Sequence, residues 1–81
     1  MKRIVWMELA KADVRRLDKP TAMRVLAGLH RFAESGEGDI KALQGREELR
    51  LRVGDYRIFF VYTATETIEI RNVLHRGDAY R

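Results

Sequence analysis

The sequence contains no cysteine, and this absence excludes several kinds of chemistry. Without thiols the chain can form no disulfide, no thiolate nucleophile and no cysteine-based zinc site. Its only histidines are His30 and His75, too few for a histidine metal cluster. The glycines are scattered, most of them at predicted turns, and form no phosphate-binding loop. The sequence therefore predicts a protein that uses neither a metal nor a bound cofactor.

Long apolar runs are also missing. No stretch is long enough to span a bilayer, and the opening residues MKRIVWMELAK are basic but lack the apolar segment of a signal peptide. We therefore expect the protein in the cytoplasm. At 81 residues, the chain is expected to form one small domain over residues 1–81, near the lower size limit at which a hydrophobic core supports a fold unaided.

Positive charge is in excess, and in the second half of the chain one residue type carries it. The formal net charge of +4 favours an anionic partner, with nucleic acid ahead of a membrane surface or an acidic protein. From Gly45 to the end every cationic side chain is an arginine. Arginine grips phosphate through a planar fork and stacks on bases, whereas lysine is a hydrated point charge. The bias favours phosphate recognition, and chance composition is the alternative explanation.

The first half of the chain predicts one strand followed by two helices. Arg3–Met7 is rich in the β-branched and aromatic residues typical of strands. Apolar residues then recur at helical spacing over Glu8–Leu17 and again over Pro20–Glu34. Asp18 precedes the second helix as a capping residue, and Gly36 is expected to end that helix in the left-handed conformation.

The second half predicts three strands after a linker at Ile40–Gly45. The strands are expected at Glu48–Val53, Tyr56–Tyr62 and Thr67–Leu74, with connections too short for a parallel crossover. Neighbouring strands must then be antiparallel, and Ile58–Val61, apolar on both faces, marks the middle of the sheet. The predicted order is β-α-α-β-β-β, an α+β domain with two N-terminal helices packed on a small, mostly antiparallel sheet.

The segment LRLRVGDYR, Leu49–Arg57, alternates apolar residues with arginines. In a strand its three apolar residues share one face, while Arg50 and Arg52 share the other, and Arg57 follows after a tight turn. Charged residues are depleted from strands, and lysine or glutamate would solubilise an outer face equally well. The segment therefore has two interpretations, a solvated sheet face or a surface that holds phosphate.

Three segments follow one another along the second half of the chain. They are ALQG at residues 42–45, LRLRVGDYR at 49–57 and VLHRGDAYR at 73–81. In this order and spacing they resemble the RelE/ParE toxin family of type II bacterial toxin-antitoxin systems, and the resemblance extends over nearly the whole chain. It implies the RelE/ParE-like fold, which is related to that of microbial RNases. It also implies a cognate antitoxin as partner in a toxin-antitoxin hetero-oligomer, since a small basic domain suits an acidic segment that folds on binding.

Two activities are known in this family, and the resemblance leaves both open. RelE-type members enter the ribosomal A site and cut mRNA, whereas ParE-type members poison DNA gyrase. We expect the first activity, that of a ribosome-dependent mRNA endonuclease, or mRNA interferase, which inhibits translation. The alternatives are gyrase inhibition and a degenerate toxin that only binds its antitoxin.

Metal-independent RNA cleavage uses the substrate's own 2′-hydroxyl and needs cations that stabilise the charge on the phosphorane. By the resemblance, Arg50, Arg57 and Arg76 match family positions that carry cationic catalytic or phosphate-contacting residues. Arg52, on the same predicted strand face as Arg50, and the C-terminal Arg81 are expected to extend the RNA-binding surface. We expect these side chains to converge with the C-terminal segment on one open face.

Three further side chains complete the predicted site. Tyr80 matches a family aromatic residue that stacks on or orients an mRNA base, the alternative being a tyrosine that fastens the tail. Histidine exchanges protons near neutral pH, so His75 is a candidate general acid, the alternative being a histidine that is hydrogen-bonded within the fold or merely exposed. Glu48 stands where the best-known RelE toxin has a lysine. It is either the general base, or else a solvated strand-end charge or a salt-bridge partner.

Overall fold

The computed structural model describes residues 1–79, which form two helices on one face of a five-stranded sheet. In chain order the elements are β1 (Arg3–Trp6), α1 (Glu8–Arg15), α2 (Lys19–Ser35), β2 (Asp39–Ala42), β3 (Leu49–Val53), β4 (Tyr56–Ala64) and β5 (Thr67–His75). The strand order across the sheet is β1-β5-β4-β3-β2, with β1 parallel to β5 and all other neighbours antiparallel. The predicted α+β class, the mostly antiparallel sheet and the central place of β4 are confirmed.

The predicted linker at Ile40–Gly45 is wrong over its first three residues, which belong to the edge strand β2. Ile40 lies opposite Leu51 of β3 and packs against the hydrophobic core. The alternation of polar and apolar residues covers only four positions here, too few to distinguish a strand from a loop. Pairing with β3 makes this segment a strand. The element order is therefore β-α-α-β-β-β-β rather than β-α-α-β-β-β.

The caps of α2 lie where the sequence predicts them. The Asp18 carboxylate accepts a hydrogen bond from the Thr21 backbone N–H at 3.2 Å, and Gly36 ends the helix with φ of 79°. Helix α1 ends at Arg15, two residues earlier than predicted, because its last turn tightens: the N–H of Leu17 donates to the carbonyl three residues back. No helix within residues 1–79 is long and apolar enough to cross a membrane.

Strand ends differ from the prediction by one or two residues. The first strand stops one residue short of the predicted Met7, and β3 begins at Leu49 rather than Glu48. Strand β4 continues to Ala64 and β5 to His75. The longer β4 and β5 form the main hairpin of the sheet, and they pair along nearly their whole length.

The hydrophobic core lies between α2 and one face of the sheet. Its fully buried side chains include Leu29 of α2, Phe60 of β4 and Ile70 of β5. The rings of Phe32 and Phe60 lie 5.3 Å apart between centroids at a tilt of 51°, an aromatic contact that joins the helix to the sheet. Gly28 allows α2 a close approach to β3. The opposite face of the sheet carries no helix within the described part of the chain.

Candidate nucleic-acid interface

The arginines of β3 and β4 lie on the helix-free face of the sheet. Arg52 is paired with Arg57 across the two strands, and Arg50 with Phe59. The residues between them, such as Leu51, are buried on the helix-covered face. Arg50, Arg52 and Arg57 therefore share one surface, as their spacing predicts. Their chemical role stays a prediction.

Arg57 is held over the hairpin turn between β3 and β4. Its side chain is buried, and Nη1 donates to the carbonyls of Gly54 and Tyr56, both at 3.1 Å. Arg52 Nε lies 3.5 Å from the same Gly54 carbonyl. Gly54 has φ of 58°, the left-handed conformation that a tight turn requires and that glycine adopts without strain. The turn thus fixes two guanidiniums side by side.

Asp39 of β2 lies between two of these arginines. Its Oδ1 is 3.5 Å from Arg50 Nη2, and its Oδ2 is 4.0 Å from Arg52 Nη1. The Asp39 carboxylate is about half exposed, whereas the Arg50 side chain is mostly buried. Asp39 orients the guanidiniums and partly neutralises them. Asp39 reaches this site only through the pairing of β2 with β3, which no pattern in the sequence predicts.

A β-bulge in β5 adds a residue to the ladder with β4. Phe59 lies opposite Asn72, but the next residue, Phe60, lies opposite Ile70, so Arg71 has no partner position on β4. A bulge of this kind bends the strand and redirects side chains, and bulges are common beside active sites. Here the bulge falls at the centre of the sheet.

The bulge directs two consecutive polar side chains to the helix-free face. Ile70 and Val73 are both buried in the core under the helices, so Arg71 and Asn72 between them lie on the other side. Arg71 Nε is 3.5 Å from Oε1 of Glu69, and Glu69 lies on the same face. Sequence reasoning missed both residues. A sequence signal for the bulge exists: the apolar residues Ile68, Ile70 and Val73 are spaced by two positions and then by three. Together Arg50, Arg52, Arg57 and Arg71 form the surface that we name the arginine face.

His75 lies on the opposite side of the sheet, so the prediction that it converges with the arginines is wrong. Its ring pairs with Tyr56 on the helix-covered side, with centroids 5.3 Å apart and planes at 82°. The bulge is the cause, because one extra residue in a strand reverses the face of every side chain that follows. Without the bulge, His75 would share a face with Arg71.

Comparison with known proteins agrees with this architecture. The sequence profile of the ParE toxin of type II toxin-antitoxin systems, parDE, matches residues 4–80. The chain belongs to this family. No curated protein sequence matches the toxin significantly. The family resemblance of the three sequence segments is thereby confirmed.

Several solved structures share the fold of the toxin. The RelB-RelE antitoxin-toxin complex of Methanococcus jannaschii matches with a TM-score of 0.75 at 26% identity, covering 94% of each chain. The RelE-RelB complex of Pyrococcus horikoshii OT3 matches with a TM-score of 0.75 at 23% identity, covering 96% of this chain and 98% of that one. The intact RelBE complex of E. coli matches with a TM-score of 0.71 at 18% identity, covering 90% and 94%.

Glu48 of the toxin is engaged in an ion pair. It directly precedes β3, its side chain is mostly buried, and its Oε1 accepts a hydrogen bond from Arg46 Nη2. Among the interpretations of Glu48 given above, the observed contact is that of a salt-bridge partner. The role of general base stays a prediction.

The C-terminal candidates are placed only in part. Arg76 begins the turn after β5, is exposed, and its backbone N–H donates to the Asp55 carbonyl at 2.8 Å. This contact places the backbone of Arg76 beside the β3–β4 hairpin. Tyr80 and Arg81 lie outside the described residues, and their roles stay predictions.

Proposed function

We propose that this toxin is a RelE-like, ribosome-dependent mRNA endonuclease that inhibits translation. The observation that supports the proposal most strongly is the arginine face, in which three neighbouring strands contribute four guanidiniums to one helix-free surface. Guanidiniums form charge-assisted, bidentate hydrogen bonds with phosphate oxygens, which a merely solvated surface does not require. This function places the toxin in the cytoplasm.

The proposed reaction needs no metal. The 2′-oxygen of one nucleotide attacks the adjacent phosphorus, its proton passes to a base, and the bond to the 5′-oxygen breaks as that oxygen takes up a proton. Negative charge accumulates on the phosphorane, where fixed cations stabilise it most. Among the described residues, the hydrogen bonds of Arg57 use only Nη1. Nη2 is therefore left to donate to a phosphate oxygen.

Asp39 competes with the phosphate for Arg50 and Arg52. An ion pair with an exposed partner contributes only ~0–1 kcal/mol, and the Asp39 carboxylate is about half exposed. A phosphate that accepts two parallel hydrogen bonds from Arg50 or Arg52 is the stronger acceptor. We infer that RNA displaces Asp39 from the two arginines when it binds.

We also infer that the toxin binds a cognate antitoxin. The structural relatives from M. jannaschii and P. horikoshii are toxin-antitoxin complexes. On the toxin, Leu9 and Met23 are 66% and 58% exposed, although both are large and apolar. A groove of about 370 Å³ runs between β1 and α2, where Ile4, Trp6 and Leu26 line it. Exposed apolar surface of this kind marks a protein-binding site.

Inhibition of DNA gyrase is the second candidate function. The family profile that matches the toxin is that of ParE toxins, and Glu48 stands where the best-known RelE toxin has a lysine. A carboxylate near the reacting phosphate is unfavourable unless it stays paired, as Glu48 is with Arg46. The shared fold does not distinguish the two activities, because the activity depends on the side chains.

One experiment separates the candidates. The toxin is expressed from an inducible promoter without its antitoxin, 5′ ends of cellular mRNA are mapped, and purified toxin is added to a gyrase supercoiling assay. We expect growth arrest with new mRNA 5′ ends inside A-site codons and unchanged supercoiling. Arrest with intact mRNA and inhibited supercoiling would support gyrase inhibition instead. Absence of arrest would leave an antitoxin-binding module.

Variants of the toxin connect the outcome to the arginine face. Arg57→Ala and Arg76→Ala are expected to abolish both the arrest and the new 5′ ends. Arg15→Ala is the matched control, because Arg15 is an exposed arginine at the end of α1, away from the arginine face. Circular dichroism of each purified variant confirms that it folds. Full cleavage by a folded Arg57→Ala variant would contradict the proposed site.

A further inference from the structure

A second pocket lies on the helix-covered side of the β3–β4 hairpin. Its volume is about 440 Å³, within the range of ~300–1,000 Å³ that is usual for small-ligand sites. Its walls come from the start of α2, the hairpin turn and the end of β5, and they include Thr21, Arg24, Asp55, Tyr56 and His75. No side chain of the arginine face lines this pocket.

The pocket combines aromatic rings with one positively and one negatively charged hydrogen-bonding group. Tyr56 and His75 form one wall as an edge-to-face pair. Arg24 supplies a guanidinium, with Nη2 3.4 Å from Thr21 Oγ1, and Asp55 supplies a carboxylate. A nucleobase has flat faces that contact aromatic rings and edges that carry both donors and acceptors. This chemistry suits a base better than it suits a simple anion.

The His75 ring has a defined hydrogen-bonding edge. Its Nδ1 lies 3.3 Å from the Gly77 backbone N–H and accepts that hydrogen bond. In the neutral ring the proton is then on Nε2, which becomes the donor. The sequence predicts His75 as a candidate general acid, but His75 lies on the other side of the sheet from the arginine face. A base-contacting role is consistent with its position.

The pocket adjoins the arginine face across a turn of only two residues. The Gly54 carbonyl accepts from Arg57 at 3.1 Å, while Gly54 and Asp55 themselves line the pocket. The Arg76 backbone N–H bonds to the Asp55 carbonyl, which brings a further exposed arginine to the same turn. Cationic side chains thus flank the hairpin on both sides, with Arg24 on the pocket side.

We propose that this pocket binds one unpaired base of single-stranded RNA whose neighbouring phosphates lie on the arginine face. The strand bends over the β3–β4 hairpin, and Arg24 and His75 contact the nucleotide beyond it. The inference rests on the proposed function, because it extends the same RNA by one bound nucleotide. It assigns His75 to substrate binding outside the reacting centre.

The test compares RNA lengths. Binding of a 2′-O-methyl dinucleotide and of a 2′-O-methyl hexanucleotide, both resistant to 2′-hydroxyl attack, is measured by titration of ¹⁵N-labelled toxin in NMR spectra. A contacted base contributes on the order of 10-fold in affinity. We therefore expect His75→Ala and Arg24→Ala to weaken hexanucleotide binding about 10-fold and to leave dinucleotide binding unchanged. Amide signals of Thr21 and Asp55 are expected to shift with the hexanucleotide only.

Matched controls isolate the pocket from general charge effects. His30→Ala removes a histidine on the exposed side of α2, and Arg15→Ala removes an exposed arginine of α1. Neither lines the pocket, and both are expected to bind the two oligonucleotides like the wild type. Arg52→Ala, on the arginine face, is expected to weaken both lengths alike.

The outcomes separate this inference from the proposed function. If Arg52→Ala weakens both oligonucleotides while the pocket variants bind like their controls, the inference is overturned and the proposed function stands. If the pocket variants lose antitoxin binding but no RNA affinity, the pocket is a protein-binding site and the inference is likewise overturned. If the wild type binds neither oligonucleotide, the inference is overturned, whereas the ribosome-dependent function is decided separately by the mapping of mRNA 5′ ends.

Discussion

The carboxylate of Asp13 accepts a hydrogen bond from the backbone N–H of Val73 at 2.9 Å, across 60 positions of the chain. Strand β1 ends at Trp6, opposite Ile70, so within residues 1–79 the edge of β5 that faces β1 has no strand partner beyond that point. A buried N–H without an acceptor is costly. Asp13 of α1 supplies the acceptor, and this contact ties α1 to the strand that carries the bulge.

Removing the Asp13 carboxylate is expected to destabilise the toxin. Asp13→Ala leaves the Val73 N–H buried without a partner, at a cost of ~1–3 kcal/mol in the free energy of unfolding. Urea denaturation monitored by circular dichroism measures the change. Asp13→Asn keeps an acceptor oxygen and is expected to lose less. Glu8→Ala, an exposed acidic residue of the same helix, is the control, and an equal loss in all three variants would contradict the role of the hydrogen bond.

Gly28 is expected to resist replacement by alanine although it lies within a helix. A Cβ built at Gly28 would lie 2.7 Å from Val53 Cγ2, and valine has little rotamer freedom to move away. Alanine gains ~1 kcal/mol of helix propensity over glycine, whereas overpacking costs ~1–3 kcal/mol. We expect a net loss of stability in Gly28→Ala.

A double-mutant cycle measures this coupling. Val53→Ala alone leaves a cavity and is expected to lower the free energy of unfolding. In the Gly28→Ala/Val53→Ala double variant the new methyl group has room, so the combined loss is expected to be smaller than the sum of the two. Strictly additive losses would show that α2 does not approach β3 as closely as described.

Acid is expected to weaken the N-terminus of α2 through Asp18. The side-chain hydrogen bond from the Thr21 hydroxyl, at 2.7 Å, and then the bond from the Thr21 N–H lower the pKa of the Asp18 carboxyl below its ordinary value of 3.8. Because the folded-state pKa is depressed, the cap contributes its stability fully above the unfolded-state pKa and loses it as the pH falls through the folded-state pKa. Asp18→Asn has no such titration.

Melting temperatures of the wild type and Asp18→Asn, measured between about pH 5 and pH 2, test this cap. The difference between the two proteins is expected to shrink as the pH falls, because the wild type loses its charged cap while the variant has no carboxyl group to protonate at position 18, and the other carboxyl groups titrate in both proteins. A difference that stays constant over this range would show that the Asp18 charge does not contribute to the cap.

Asp39 is expected to restrain RNA binding by the arginine face. Asp39→Asn removes a carboxylate that lies within 4.0 Å of two guanidiniums, so phosphate no longer has to displace it. We expect a several-fold increase in affinity for a single-stranded oligonucleotide at low salt and a steeper dependence on salt. Fluorescence anisotropy at several salt concentrations measures both. Glu34→Gln, which removes an exposed carboxylate on α2, is the control and is expected to change neither.

Arg71 is expected to contribute to phosphate binding because its side chain lies on the arginine face, next to Glu69. Arg71→Ala should reduce the slope of log K against log salt by ~0.7, the value for one phosphate contact on single-stranded nucleic acid. Arg15→Ala, with the same loss of charge on α1, is expected to keep the wild-type slope. An unchanged slope in Arg71→Ala would place Arg71 outside the RNA-binding surface.

Local features of the chain were predictable because they depend on neighbouring residues. Asp18 and Gly36 cap α2 through hydrogen bonds and backbone conformations within a few positions. The alternation at Leu49–Val53 assigns the faces of β3 without reference to any other strand, since the period of a strand is two. The arginines of β3 and β4 and their shared face followed from the sequence on this basis.

The features that decide the site depend on partners far along the chain. Asp39 enters the arginine face only because β2 pairs with β3, and four residues carry too little alternation to predict that pairing. The bulge at Arg71 lies where β5 pairs with β4 and also buries Ile70 and Val73 in the core. It turned Asn72 onto the helix-free face and His75 away from it, whereas Arg71 lies on that face by simple alternation from Glu69 and Ile70.

The sequence by itself determined both helices and four of the five strands, where α2 begins and ends, and that arginines occupy one face of β3. Only the tertiary structure decided which face receives His75 and which of the two hairpin sides it lines. The physical reason is that strand periodicity fixes a face only until the first irregularity in the ladder. Beyond the bulge, the packing of Val73 under α1 and α2 sets the face of each side chain, and that packing is not local.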